Sequence, residues 1–167
     1  TPGYSLTNTG IKELNYSAST GYHKETKGFD IFFSHFQTEI GILKGTSIGS
    51  TEDLADAMQR PIPEHTSSFS YHISEPRQEV SHNLLKLNGH LQTEHGEWRL
   101  QYGFQSNSRK EFDFRIGSVK TTPEIDLKLY TNSLEAEWET LHSVKRTISF
   151  GMNTMLQNNI NVFGTGR

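Results

Sequence analysis

Hydrophobic and polar positions alternate without a break along residues 97–105. A period of two predicts an extended strand with one apolar and one polar face. Residues 93–96, with the sequence Thr-Glu-His-Gly, read as a tight turn, so the preceding segment is predicted to run antiparallel to this strand. The apolar positions of the strand are Trp98, Leu100, Tyr102 and Phe104.

Related patterns along the rest of the chain predict five further strands. The strand that starts at residue 97 is expected to run on through Phe112, Phe114 and Ile116. Because neighbouring strands are joined in sequence, we predict an all-β chain, an antiparallel up-and-down meander built from hairpins. The five further strands are predicted at residues 11–22, 29–43, 79–92, 125–140 and 146–157.

Two of these segments depart from simple alternation. Residues 29–43 carry apolar side chains on both faces, which predicts either a bulge or burial on both faces. Along residues 125–140 the apolar positions change from odd to even numbers near Tyr130, Thr131 and Asn132. A one-residue slip of this kind is what a β-bulge produces, so we predict a bulge there.

The predicted connections differ in length. Residues 23–28, 93–96 and 141–145 are short turns, whereas residues 44–78 form a long loop. Within that loop residues 51–60 are predicted to be helical, with Ser50 or Thr51 as the N-cap. Short turns on one side and long loops on the other are typical of an outer-membrane barrel. The alternative is a soluble meander or barrel, in which loop lengths need not alternate.

Composition narrows the class of protein. The chain has 167 residues, which suits one domain, and it contains no cysteine for a disulfide or a thiolate site. Its formal charge of −3 predicts no general attraction to nucleic acid or anionic lipid. No apolar run approaches the roughly 18 residues of a spanning helix. Near Thr1 we find no signal segment, and we expect a processed chain or an excerpt.

Aromatic residues cluster at the level of the short turns. Trp98 and Trp138 lie beside such turns, and Tyr22 and Phe29 flank another. A membrane interface selects aromatic rings at one level, although aromatic residues that close the core at a barrel end would look the same. The residues predicted to face the membrane are Trp98, Leu100, Tyr102, Phe104, Trp138, Ile148, Phe150 and Met152.

Several segments together resemble the barrel region of TonB-dependent outer-membrane receptors, in the form common among Bacteroidetes. The resemblance is carried by residues 39–50, 75–87, 100–113 and 123–127, and it spans the chain from about Asn8 onward. It implies a barrel of about 22 strands around an N-terminal plug, with import driven through TonB. Because six strands cannot close such a barrel and no plug is found near Thr1, we expect residues 1–167 to form a single barrel segment without the plug.

The resemblance also implies a function. Such receptors import scarce ligands, often ferric siderophores, haem, cobalamin or glycans. We therefore predict a transport segment in the bacterial outer membrane, whose partners are a ferric complex or another small ligand, TonB, and membrane lipid, with no nucleic acid. The alternative is a soluble, lipocalin-like β-barrel that binds a small ligand. An enzyme is not predicted, because we recognise no catalytic constellation in the sequence and no His-Glu-x-x-His motif occurs.

Ligand contacts are predicted at the long-loop side, in residues 44–78 and 109–115. Cations there would attract an anionic ferric complex. The competing readings are solvated loop histidines and ion pairs of Arg109 and Lys110 with Glu111 or Asp113 across neighbouring strands. No cofactor and no metal site are predicted. The candidate ligand-binding residues are Arg60, His65, His72, Arg77, Arg109, Lys110 and Arg115.

Overall fold

A computed structural model of the chain describes residues 3–43, 50–113, 122–140 and 146–163. It contains one helix and eight strands within these residues, of which six are long. The elements in chain order are β1 (Ser5–Leu6), β2 (Ile11–Lys24), β3 (Lys27–Gly41), α1 (Thr51–Gln59), β4 (Thr66–Ser67), β5 (Arg77–Gln92), β6 (Gly96–Phe112), β7 (Ile125–Thr140) and β8 (Ser149–Phe163).

The six long strands form one sheet in the order β2-β3-β5-β6-β7-β8, and β1 pairs with β4 in a separate two-stranded ribbon. Every neighbouring pair in the large sheet is antiparallel, which confirms the predicted meander. The sheet is open, with β2 and β8 at its edges. The three predicted hairpins are therefore present, as β2–β3, β5–β6 and β7–β8.

The strands differ from the prediction mainly at their ends. The first hairpin turn contains only residues 25–26, since β2 and β3 pair up to Lys24 and Lys27. The last strand begins at Ser149 and continues to Phe163, so the predicted span of 146–157 is shifted. β6 reaches Phe112 as expected. The predicted continuation to Phe114 and Ile116 lies outside the described residues, as does the turn at 141–145.

The bulge predicted in β7 is wrong at the position given, and β3 has neither the bulge nor the burial on both faces that were predicted as alternatives. β3 pairs with β2 and β5 in unbroken register, so Phe32 and Phe36 do occupy the face opposite to Phe33. β7 pairs with β6 without a shift through Tyr130. In the pairing of β7 with β8 the register shifts only between Asp126 and Leu127.

An exchange of polarity between the two faces explains the pattern that suggested a bulge in β7. We call the face that carries Trp98 the Trp face and the opposite one, with Gln101, the Gln face. Near the short turns the Trp face is apolar and the Gln face is charged. Toward the long loops the Trp face bears Glu79 and Lys110, whereas Leu127 and Leu129 lie on the Gln face.

The long loop begins in an ordered way. α1 confirms the predicted helix, and the Ser50 hydroxyl caps it by accepting a 3.1 Å hydrogen bond from the backbone N–H of Asp53. No side chain of α1 is buried.

The sheet has no packed core of its own. Among the described residues only one hydrophobic side chain, that of Phe112, is buried.

Candidate functional site

The structure brings two of the predicted ligand residues together at the C-terminal end of α1. Arg60 follows the helix, and both Arg60 and His65 line a pocket of about 220 Å³. Leu6, Ala57 and Pro63 supply apolar surface to the same pocket. The pocket thus combines one cation and one imidazole with an apolar wall, on the long-loop side where ligand contacts were predicted.

Arg60 already has a partner inside this pocket. Its guanidinium forms an ion pair with Glu64, four residues further along the chain. The hydrogen bond and the positive charge of Arg60 lower the pKa of the Glu64 carboxyl below its ordinary value of 4.5, and His65 adds a smaller effect in the same direction. Glu64 therefore competes with an anionic ligand for Arg60, although this exposed ion pair is weak.

The N-terminal segment fixes the far half of the loop. The Asn8 side-chain amide donates hydrogen bonds to the backbone carbonyls of Ile42 (2.8 Å) and Pro76 (2.7 Å), and its oxygen accepts one from the Ser74 N–H (2.8 Å). Thr7 adds two hydrogen bonds to the His65 carbonyl. We call this arrangement the Asn8 clasp. Sequence analysis missed it.

Arg77 does not lie in the loop but at the first position of β5. Its guanidinium lies 4.0 Å from the ring centroid of Phe112, and it contacts the carboxylates of Glu75 (3.1 Å), Glu79 (3.1 Å) and Glu39 (3.5 Å). Since three carboxylates and an aromatic ring surround this cation, its role is to join β3, β5 and β6 at the long-loop end of the sheet.

The remaining candidates are dispersed. Arg109 and Lys110 lie within β6, where successive side chains point to opposite faces, so the two cations do not share a site. Arg109 pairs with Glu111 on the same strand and not across strands. His72 is exposed on the loop beside an edge-to-face pair of aromatic rings, Phe69 and Tyr71. Arg115 lies outside the described residues.

The residues predicted to face the membrane share one face of the sheet. Trp98 and Trp138 are direct cross-strand partners with ring centroids 6.3 Å apart, and Trp138 stacks on Phe150 at 6.0 Å. Leu100 and Met152 lie in the next row, beside Ala136. Tyr102 and Phe104 follow on the same face, and Ile148 precedes Phe150 by two positions. Together they form an exposed apolar surface.

This surface ends at a row of a different character, which we call the boundary row. It carries two tyrosines, a histidine, a serine and two asparagines at the same level of the six long strands. Within it the rings of Tyr16 and His35 lie 5.0 Å apart, and His35 Nδ1 is 2.7 Å from Asn83 Oδ1. Its members are Tyr16, His35, Asn83, Ser106, Tyr130 and Asn158.

A charged network, also missed by sequence analysis, occupies the Gln face near the short turns. Arg99 contacts the carboxylates of Glu97 (2.8 Å), Glu139 (3.4 Å) and Glu137 (3.7 Å). The surrounding concavity has a volume of about 420 Å³. Because side chains alternate along a strand, the sequence alone places Glu97 and Arg99 on one face. The contribution of Glu137 and Glu139 from β7 could not be predicted, because it depends on the register between β6 and β7.

Comparisons with protein-family models, with curated proteins and with solved structures gave no match to this chain. Within the residues that the structure describes, no group of three or more His, Asp or Glu side chains is placed to hold a metal ion. In the same part of the chain, no helix is both long and apolar enough to cross a membrane.

Proposed function

We propose that this chain forms part of the wall of an outer-membrane, TonB-dependent receptor that imports a scarce small ligand such as a ferric complex. The observation that carries the proposal is the bounded apolar surface of the Trp face. It begins at Trp98 and Trp138, which are level with the short turns, and it ends at the boundary row with Tyr16 and Tyr130. Transmembrane barrels carry such an outward apolar band between two aromatic girdles.

The height of the band supports the proposal. Trp98 and the boundary-row residue Ser106 are eight positions apart on β6. At about 3.3 Å per residue this is about 26 Å along the strand, or about 20 Å along the membrane normal for a strand tilted by about 40°. Bacterial outer-membrane barrels have apolar bands about 25 Å tall. The band is therefore of the size that a bilayer selects.

The exchange of polarity between the faces supports it further. Beyond the boundary row the Trp face bears Lys12, Glu39, Glu79 and Lys110, which suit a wall that rises above the membrane into water. The Gln face below that level carries charges such as Arg99 and would line the lumen. A charge in the lipid-facing band costs free energy, whereas a charge in a lumen does not.

Arginine substitutions on neighbouring residues of β6 test the proposal. Tyr102 lies in the middle row of the band, and Gln101 points to the Gln face. In the full receptor folded into phosphatidylcholine vesicles, we expect Tyr102→Arg to lower the stability by roughly 2–4 kcal/mol and Gln101→Arg to leave it nearly unchanged. Equal effects of the two substitutions would sink the proposal. Folding without lipid, with Tyr102→Arg tolerated, would favour the soluble binding module.

Ligand capture is assigned to the long loop, with Arg60 and His65 as contacts and TonB engaged by another part of the receptor. Loops on a rigid scaffold commonly carry specificity. Because no side chain of α1 is buried, removing residues 50–60 is expected to leave folding intact. With the ferric complex of 2,3-dihydroxybenzoate as the probe, the deletion should weaken binding. Unchanged affinity would show that the helix takes no part in capture.

A further inference from the structure

Two phenylalanines on the Gln face have no role in the band. Phe32 and Phe36 project from β3 away from the band, because the register of that strand is unbroken. Phe36 keeps 37% of its surface exposed. On the face proposed to line the lumen, an aromatic pair without a packed partner layer requires another explanation. The residues around the two rings suggest that they contact a ligand.

A concavity of about 390 Å³ lies beside these rings. This volume falls within the range of about 300–1,000 Å³ that is usual for small-ligand pockets. Six of the residues that line it belong to the Gln face, and none of the six carries a formal charge with histidine neutral. They are Asn15, Ser17, Phe32, Ser34, Phe36 and His82.

His82, which lines this concavity, has one ring nitrogen whose hydrogen-bonding capacity is unused. It is the cross-strand partner of Phe36, and its Nε2 atom is buried without a hydrogen-bond partner among the described residues. A buried polar atom left unpaired costs free energy, so a group that supplies the missing hydrogen bond would be stabilised there. The imidazole can donate or accept, depending on its tautomer.

We propose that this concavity binds an uncharged ring system of the imported ligand. The ring would pack on Phe32 and Phe36, and a polar group on its edge would bond to His82 Nε2. Charged groups nearby lie outside the lining: Lys86 is the cross-strand partner of Phe32, and Arg109 is paired with Glu111. The inference rests on the proposed function in one respect, namely that an imported ligand passes this face of the sheet.

Three probes of equal ring size test the charge preference. Benzamide is neutral, benzoate is an anion and benzylamine is a cation at neutral pH. We expect benzamide to perturb the NMR signals of the His82 ring in a saturable way with the full chain in detergent micelles. We expect the two charged probes to bind more weakly, because the lining offers no compensating charge. Benzoate binding equal to that of benzamide would assign the recognition to Lys86 instead and overturn the proposal.

Matched substitutions on the two faces of β3 test the location of the binding site. Phe36→Ala should weaken benzamide binding about three- to tenfold, the loss expected for an aromatic contact. Phe33→Ala, on the opposite face of the same strand, is the control and should have no effect. Equal losses would mean that binding follows the stability of the strand. His82→Phe keeps a ring but removes the nitrogen, and unchanged affinity for benzamide there would exclude the assigned hydrogen bond.

The two proposals fail separately. If the full receptor in vesicles is sensitive to Tyr102→Arg but no benzamide binds at this site, then only the ligand site is wrong. If benzamide binds as expected but Tyr102→Arg is tolerated, then the site survives and the membrane wall does not.

Discussion

The hydroxyl of Tyr102 donates a 2.7 Å hydrogen bond to the side-chain oxygen of Asn132 across β6 and β7. Both residues lie on the Trp face, within the apolar band, where Asn132 is the cross-strand partner of Phe104. On the surface proposed to face lipid, an amide lacks the water that would otherwise satisfy it. The tyrosine therefore supplies the partner that allows Asn132 to occupy this position.

Removal of this hydroxyl is our first prediction. Tyr102→Phe should destabilise the full receptor in vesicles by about 1–3 kcal/mol, because Asn132 loses its partner in an apolar medium. The measurement is urea-induced unfolding from phosphatidylcholine vesicles. The double variant Tyr102→Phe with Asn132→Leu should recover most of the loss, since no unpaired polar group remains. A double variant as unstable as the single one would refute this account.

The contact of Gly96 with Trp138 gives the second prediction. A Cβ atom at Gly96 would lie 2.5 Å from the backbone oxygen of Glu139 and 2.6 Å from Trp138 Nε1. Gly96→Ala must therefore displace the tryptophan, and we expect a loss of about 1–3 kcal/mol with a change in tryptophan fluorescence. Gly89→Ala is the control, since its Cβ would meet only the Gly28 backbone oxygen, at 3.8 Å. Similar losses in both variants would contradict the steric explanation.

Local patterns predicted the parts of the fold that depend on neighbours in the sequence. The alternation at residues 97–105, the turn after Gln92 and the Ser50 cap were all readable, because each is decided within a few residues. The exchange of polarity in β7 was misread, since a change of environment and a one-residue slip produce the same pattern. Only the register with β6 distinguishes them.

The candidate site was less predictable. Arg60 and His65, which were predicted only as separate ligand candidates, line one pocket, and five positions separate them in the sequence. The surroundings of Arg77 were not foreseen, since Glu39 lies on another strand. The Asn8 clasp spans separations of 34 to 68 residues, which no local pattern reveals. The left-handed backbone of Asn8, with φ of 55°, is tolerated by asparagine better than by most residues.

The third prediction concerns pH. Because the pKa of Glu64 is lowered in the folded chain, the ion pair with Arg60 stabilises the loop above the ordinary pKa of 4.5. This contribution is lost as the pH falls through the lowered pKa. Hydrogen exchange of the backbone near Glu64 should therefore accelerate, relative to the intrinsic rate, below about pH 4.5. Glu64→Gln should remove that pH dependence, and an unchanged profile would exclude the ion pair as its cause.

The final prediction separates the functions of the Asn8 side chain. Asn8→Gly keeps the left-handed backbone accessible but deletes all three side-chain hydrogen bonds. With each bond contributing about 0.5–1.5 kcal/mol, we expect local opening of residues 64–76 to become easier by about 1.5–4.5 kcal/mol. Hydrogen exchange followed by mass spectrometry would localise the change. The long strands β5 and β6 serve as the internal control, because their amides are held by the sheet.

Asn8→Asp resolves the clasp further. An aspartate oxygen can still accept from the Ser74 N–H, but the ionised side chain cannot donate to the carbonyls of Ile42 and Pro76. It also places a negative charge beside those two oxygens. We therefore expect Asn8→Asp to release the loop at least as much as Asn8→Gly does, although it retains one bond. If Asn8→Asp behaves like the parent chain, the bond to Ser74 alone holds the loop, and the two carbonyl contacts contribute nothing measurable.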